Sequence, residues 1–343
     1  MADADCHDCR SLLSNDKSAD FYAEAGRYAL YLQYGCPFAQ RANIVLHLKG
    51  LENVISVIAL DPTKTAEGFR FTGLLGTAKK DPYYNYSHIR QLYWRVDPDR
   101  TGPFTIPLLW DRKKEVIVSN ESGDIMRMLY ECFDHLLPED RRETNRPSGG
   151  LYPKHLRPQI EAMNKWIQTD INSCVYDVGG AIDQESYDAR IKALFSALDR
   201  VESHLAEPGH GPFLFGEMIT ETDIRLFTSI IRFDVAYYNT LHCSSKLIRY
   251  DYPKLHLWMQ LLYWDDSPMT RGAFKRTTFF DHVSLPIPEM HAERFLEVTN
   301  VCRSKYYSLH GRLTGLYSQV PSHLFYLYHS LPRIVRVRDV LCR

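Results

Sequence analysis

RYALYLQYGCPFAQRANIVLHLKGLENVISVIAL, residues 27–60, changes its hydrophobic period twice. Arg27 to Tyr34 is a run of aromatic and aliphatic residues of strand type. Gly35-Cys36-Pro37-Phe38 breaks it. From Ala39 the spacing becomes helical, with Ala39, Ala42, Ile44, Val45 and Leu48 on one face and Arg41 and Lys49 on the side left for water. Gly50 stops that helix. Val54 to Leu60 is a second strand, which needs a crossover back to the first.

Working outward, Asp61 to Arg100 is long, polar and aromatic, and is expected to be a surface excursion carrying function or irregular structure. Thr105 to Asp111 and Glu115 to Val118 are two short strands joined by the charged turn Arg112-Lys113-Lys114. Asn120-Glu121-Ser122 opens a helix with Ile125, Met128 and Leu129 on one face. The order βαβ then ββα is that of a thioredoxin-like domain, predicted over residues 25–137. Residues 138–153 are polar and rich in Pro and Gly, and form a linker. Beyond it, apolar residues recur at three- and four-residue spacing to about residue 265, so 154–283 is predicted to be an all-helical domain. Within it, Thr220-Glu221-Thr222-Asp223 is a capping-box variant that should start a helix bearing Ile224, Leu226, Phe227, Ile230 and Ile231. Residues 1–24 are expected to be a polar leader.

The chain has 343 residues, a size for two domains, with 45% hydrophobic and 24% charged residues, as in soluble globular proteins. Its net charge of −1 leaves no basic excess for nucleic acid. No apolar run approaches a membrane span, and the acidic early N-terminus has no signal-peptide core, so a cytoplasmic address and no membrane partner are expected. The eight cysteines are scattered, which argues against a disulfide framework. Cys6 and Cys9 form a C-x-x-C around His7, a spacing known in metal and redox sites; without a matching second half it is read as an unstructured pair, and no metal is expected.

Cys36 ends a strand and precedes a helix whose first position suits Pro37. A sulfur there faces unpaired N–H groups and the positive end of the helix dipole, both of which favour a thiolate nucleophile. The C-x-x-C position after it holds Ala39, so release of a mixed disulfide needs an external thiol, for which glutathione is the cytosolic choice. Pro107 opens a strand, where a cis bond would turn the Ile106 backbone toward an extended tripeptide. Glu121 and Ser122 at the next helix start suit an ammonium and a carboxylate, against the simpler reading of helix capping.

RYALYLQYGCPFAQR, TIPLLWD, IVSNES and ITETDIRLFTSIIRFD, in that order, resemble the Xi class of glutathione transferases, the glutathionyl-hydroquinone reductases, from about Phe21 to Val283. The resemblance implies a thioredoxin-like domain (α/β) followed by a helical one (all-α), a homodimer, and glutathione as co-substrate. It implies that Cys36 takes glutathione from a glutathionyl-hydroquinone. Phe69, Thr105, Ile106, Pro107, Glu121 and Ser122 would bind glutathione, Tyr176 would donate a proton to the substrate, and Tyr237 would support the thiolate. The pattern departs from the class in four places. C-P-W-A-H-R is here Cys36-Pro37-Phe38-Ala39-Gln40-Arg41. Phe69 stands for a Trp that touches glutathione. Pro103 replaces an Arg, with Arg100 as the substitute. The class's Tyr-Tyr tail is absent, Tyr306-Tyr307 is not its equivalent, and 284–343 reads as a divergent tail for which disorder is expected. Two alternatives stand beside this reading: another Cys-type glutathione transferase or thioltransferase, and a weakly catalytic glutathione-binding protein, for which an unperturbed Cys36 thiol would be the mark.

Overall fold

The computed structural model describes residues 9–283; Cys6, the tail 284–343 and Tyr306-Tyr307 lie outside the described residues. Strands β1 (Tyr28–Leu32), β2 (Ser56–Ala59), β5 (Leu108–Asp111) and β6 (Val116–Ser119) form one sheet in the order β2-β1-β5-β6. β1 runs parallel to β2, with Leu30 opposite Val57, and antiparallel to β5, with Tyr31 opposite Leu108. Helix α1 (Pro37–Lys49) makes the crossover, and Gly50 ends it in the left-handed conformation that only glycine adopts without strain. The βαβ-ββα order expected from the sequence is the order observed, with α3 (Ser122–Glu131) closing it.

All five β1 residues are buried because both sheet faces are covered. Tyr28, Leu30 and Leu32 join the core under α1 and α3, while Ala29 and Tyr31 point the other way. That second face is covered by the Asp61–Arg100 excursion, which is more structured than expected. It contains a two-stranded ribbon, β3 (Lys64–Thr65) and β4 (Gly68–Phe69), and helix α2 (Arg90–Val96), which brings Ile89, Leu92 and Tyr93 onto Trp110 and Leu108. The segment from Cys9 onward, expected to be unstructured, lies along β6: Ser11 N–H donates to the Val118 carbonyl at 2.9 Å and Leu13 is buried. It covers a sheet edge that would otherwise stay open. Cys9 itself is fixed to Asn120, donating its N–H to Oδ1 at 3.0 Å and accepting the Asn120 N–H at 3.1 Å.

The second half is helical: α4 (Arg157–Ile167), α5 (Cys174–Gly179), α6 (Gln184–Ala206), α7 (Glu221–Arg232), α8 (Tyr238–Thr240), α9 (Ile248–Asp251), α10 (Pro253–Trp264), α11 (Ala273–Arg276) and α12 (Phe280–Val283). The capping role expected of Asp223 holds. Its Oδ2 accepts from the Thr220 N–H at 2.8 Å and hydroxyl at 2.9 Å, and Oδ1 accepts from Leu214 N–H and the Trp258 indole. Two wide-turn π segments, Gln168–Ser173 and Phe233–Tyr237, carry α4 into α5 and α7 into α8.

One sequence expectation is reversed. Arg41 and Lys49 do not face water; Arg41 is 1% exposed and Lys49 fully buried. Helices α7 and α11 pack on α1 from the second domain, and periodicity cannot tell solvent from a neighbouring domain. Burial of Ile44, Val45, Leu46 and Leu48 contributes about 1.5–3 kcal/mol each. That outweighs two buried cations only if each keeps partners. Lys49 does, with Asp134 at 2.9 Å and Glu143 at 3.4 Å.

Candidate active site

Cys36 is the N-cap of α1, in extended conformation, with Pro37 next and no acidic residue in the first turn. It is half-buried at the seam between the two cores, touching both. Burial pushes its thiol above the ordinary range, against the Ala39 and Phe38 N–H groups and the charges of Arg232 and Arg41, which pull it down. The helix mouth therefore acts in the direction expected from the sequence, but burial outweighs it. Alkylation of Cys36 by iodoacetamide should accordingly keep climbing as pH rises past the ordinary thiol value of about 8.5. A rate already level at pH 7 would contradict this balance.

Two tyrosines from the helical domain stand near enough to Cys36 to feel its charge. The hydroxyls of Tyr176 and Tyr237 lie 3.4 Å apart, their rings edge to face at 5.9 Å, and Phe38 approaches Tyr176 at 6.3 Å. Burial raises both phenols, and both feel the charge on Cys36. Tyr176 follows the first π segment and Tyr237 ends the second. One extra residue per turn rotates the following side chains relative to a regular helix, a device common at functional sites. Nothing in the hydrophobic period of either helix signals it.

Ile106, preceded in the chain by Thr105, joins Pro107 by a cis bond and stands outside the strand ladder, whose last pair is Tyr31 with Leu108. Ile106 belongs to the core cluster that Cys36 touches. Thr105 is held in place: Tyr93 donates to its carbonyl at 2.8 Å and Asn120 donates to its hydroxyl at 3.0 Å. Glu121 does what the simpler reading foresaw and caps α3, accepting from Gly123 N–H at 2.9 Å. Ser122 is buried beside it and accepts from Arg41 Nη1 at 3.4 Å. Phe69, on β4, packs on the same core as Cys36 with the Lys64 ammonium 5.6 Å from its ring. Arg100 lies over Tyr93 at 4.7 Å and donates to the Pro103 carbonyl at 3.2 Å.

Sequence reasoning missed the cations. Arg41 also donates to Gln168 at 3.0 Å and lies 4.9 Å over Phe38. Burial and the neighbouring Arg225 lower its guanidinium to about 9, while Glu121 and Cys36 act in the other direction. It thus joins the Glu121-Ser122 end of the site to the sulfur. Arg232, from α7, acts on Cys36 and on both tyrosines. Both arginines stand inside the motifs that carry the resemblance, but as surface-type residues they gave no signal of burial. Away from these groups, His204, Glu207 and His210 bring one ligand atom each within 4.8 Å. Their imidazoles both face the Leu214 carbonyl, at 2.7 and 3.4 Å, which accounts for the cluster as a cap on that chain turn. Among the described residues, no helix is long and apolar enough to cross a membrane.

Residues 35–132 match the glutathione S-transferase N-terminal domain family, and residues 184–261 match its C-terminal domain family. The chain is 38% identical to glutathione S-transferase omega-like 2 of Schizosaccharomyces pombe, over 80% of this chain and 84% of that one. It is 36% identical to glutathionyl-hydroquinone reductase YqjG of Escherichia coli, over 77% and 75%. The glutathione-bound structure of YqjG superposes with a TM-score of 0.71 at 35% identity, over 80% of this chain and 85% of that one. The crystal structure of the glutathione S-transferase Xi from Phanerochaete chrysosporium superposes with a TM-score of 0.73 at 41% identity, over 80% and 88%. A thioredoxin-like half, a helical half and this degree of identity across both leave one assignment: the chain belongs to the Xi class of glutathione transferases and is an enzyme of that family.

Proposed function

We propose that this protein removes glutathione from glutathionyl-hydroquinones, with Cys36 as nucleophile. The sulfur of Cys36, as thiolate, attacks the glutathione sulfur of the conjugate. The bond between that sulfur and the ring carbon breaks, its electron pair stays on carbon, and a proton from Tyr176 completes the hydroquinone. Cys36 is left in a mixed disulfide with glutathione. A second glutathione thiolate attacks that disulfide, giving glutathione disulfide and the Cys36 thiolate. The conjugate is reduced by two electrons and two glutathione equivalents are oxidised.

The observation that carries this reading is the tyrosine pair, with hydroxyls 3.4 Å apart, set against a cysteine at a helix mouth. A disulfide reductase needs no proton donor for a thiolate leaving group, whereas a carbanion does. The activity of the E. coli relative, as its name gives it, agrees. Phe69, Thr105, Ile106 and Pro107 would line the glutathione, with Glu121 and Ser122 at its γ-glutamyl end. In this reading residues 25–137 bind glutathione, 138–153 link, and 154–283 supply the tyrosines. A cytosolic homodimer follows from the class and from the reducing conditions such thiols need.

The test is a pair of assays, release of hydroquinone from a glutathionyl-hydroquinone and reduction of a small glutathione mixed disulfide. Tyr176→Phe should lower the first by roughly 10²-fold or more, the size of a general-acid contribution, and leave the second near wild type. Equal activity of both proteins on both substrates would favour the thioltransferase alternative, which Phe69 in place of the class's Trp also suits.

A further inference from the structure

Arg232, the last residue of α7, is 1% exposed. Its guanidinium donates to the Gly35 carbonyl at 3.0 Å, the Tyr34 carbonyl at 3.2 Å, the Thr228 carbonyl at 2.7 Å and the Gln40 side-chain carbonyl. Every acceptor is neutral. Among the described residues no carboxylate forms an ion pair with it. The two acids nearest in sequence are engaged elsewhere: Asp223 in its capping box, and Asp234 with the Ile248 and Arg249 N–H groups at 2.8 and 3.0 Å. A buried cation without a counter-ion is costly, and structures rarely keep one without a use for it. The anions it can answer are those of Tyr237, Tyr176 and Cys36.

We infer that Arg232 is the counter-charge of the Cys36 thiolate and the clamp that sets the turn bearing it. This rests on Cys36 being the nucleophile. Two of its bonds fix the carbonyls of residues 34 and 35, just ahead of the sulfur, so one side chain from the helical domain both aims the thiol and supplies the charge that ionisation neutralises. Arg41 is less suited, because it already faces Glu121 and lies beside Arg225. Gln40 helps to orient the guanidinium; its amide donates to the Thr278 hydroxyl at 2.9 Å, which leaves its carbonyl for Arg232. The other ionisable groups around the pocket are Arg41 on α1, Tyr176 on α5, Tyr237 on the π segment, Tyr34 before the turn, and His282 on α12, whose ring meets Tyr34 edge on at 5.2 Å. Asp281 and Asp61 act on His282, which burial keeps neutral.

The experiment is the pH profile of iodoacetamide alkylation, read on the Cys36 peptide by mass spectrometry, in wild type, Arg232→Gln and Arg232→Lys. Loss of an adjacent opposite charge should move the Gln midpoint up by about 1–3 pH units, and Lys should recover part of the shift. A folded Arg232→Gln protein with the wild-type midpoint would overturn the inference. If that variant does not fold, Cys36→Asp and Cys36→Asn decide it. A carboxylate beside an unmatched guanidinium should give the Asp variant the higher Tm at pH 7, with the gap closing in acid; equal values at pH 7 overturn the inference. Failure of the nucleophile reading shows differently, as wild-type protein that takes no glutathione on Cys36 while the midpoint still shifts.

Discussion

Cys36→Ser should lose the glutathione adduct formed with glutathione disulfide and retain no more than roughly one part in 10⁴ of hydroquinone-releasing turnover, the scale seen when a nucleophile is removed. The helix N-terminus and two guanidinium groups pull down a thiol, which ionises far more readily than an alcohol, but they cannot ionise a serine hydroxyl. Serine fits the space, because Cys36 is half-buried and no hydrogen bond to a protein acceptor ties its side chain in place among the described residues. Three of the other described cysteines are poor competitors, and Cys9, which is half-buried, is told apart by its own peptide. Burial pushes Cys132 up to about 12 and Cys174 to about 11, and Cys243 is raised well above its ordinary value. Intact-mass and peptide mass spectrometry on both proteins reads the adduct. An adduct that survives the substitution, or turnover within tenfold of wild type, would mean that another sulfur does the work.

Glu221→Ala should give the largest loss of stability. Glu221 opens α7, is fully buried, and ties both halves of the chain together. From α3 it accepts from Arg127 at 2.7 and 3.0 Å and from the Tyr130 hydroxyl at 2.8 Å. From α4 it accepts from Asn164 at 2.7 Å, and Arg225 lies at 3.4 Å. Removing the carboxylate leaves the buried Tyr130 phenol and Asn164 amide without this acceptor, while Arg127 keeps only Glu161 among the described carboxylates, at 2.5 Å. Breaking a buried pair from one side costs about 3–5 kcal/mol. In a protein of this size that lowers Tm by roughly 4–7 °C, measurable by calorimetry. Glu221→Gln, which keeps the shape and one acceptor, should fall in between. A Tm for Glu221→Ala within about 1 °C of wild type, less than the shift expected for 1 kcal/mol, would show that the network contributes little. Because α7 also carries Arg232, loosening its start should blunt Cys36 reactivity as well.

The residues of the site divide according to what holds them. Cys36, Ile106, Glu121 and Ser122 sit at junctions of strand and helix, where local chemistry announces itself: an apolar run broken by Gly and Pro, a Pro opening a strand, a polar pair opening a helix. All four are legible in the amino-acid order. Helix α2 is not, because seven residues in a polar excursion give no sustained period. Tyr176 and Tyr237 came from motif resemblance alone, since the π segment before or around each is invisible in sequence.

The amino-acid order by itself determined the βαβ-ββα half, the helical half, the placement of Cys36 at a helix mouth and the family. The first three depend on near-neighbour spacing, which period and turn chemistry report directly; the family rests on the resemblance of four motifs in order. Only the tertiary structure decided that Arg41, Lys49 and Arg232 are buried, that burial outweighs the helix mouth at Cys36, and that Glu221 locks the two halves. Whether a polar side chain meets water or another domain depends on surfaces brought together from distant parts of the chain, and with that goes the local dielectric that sets its charge.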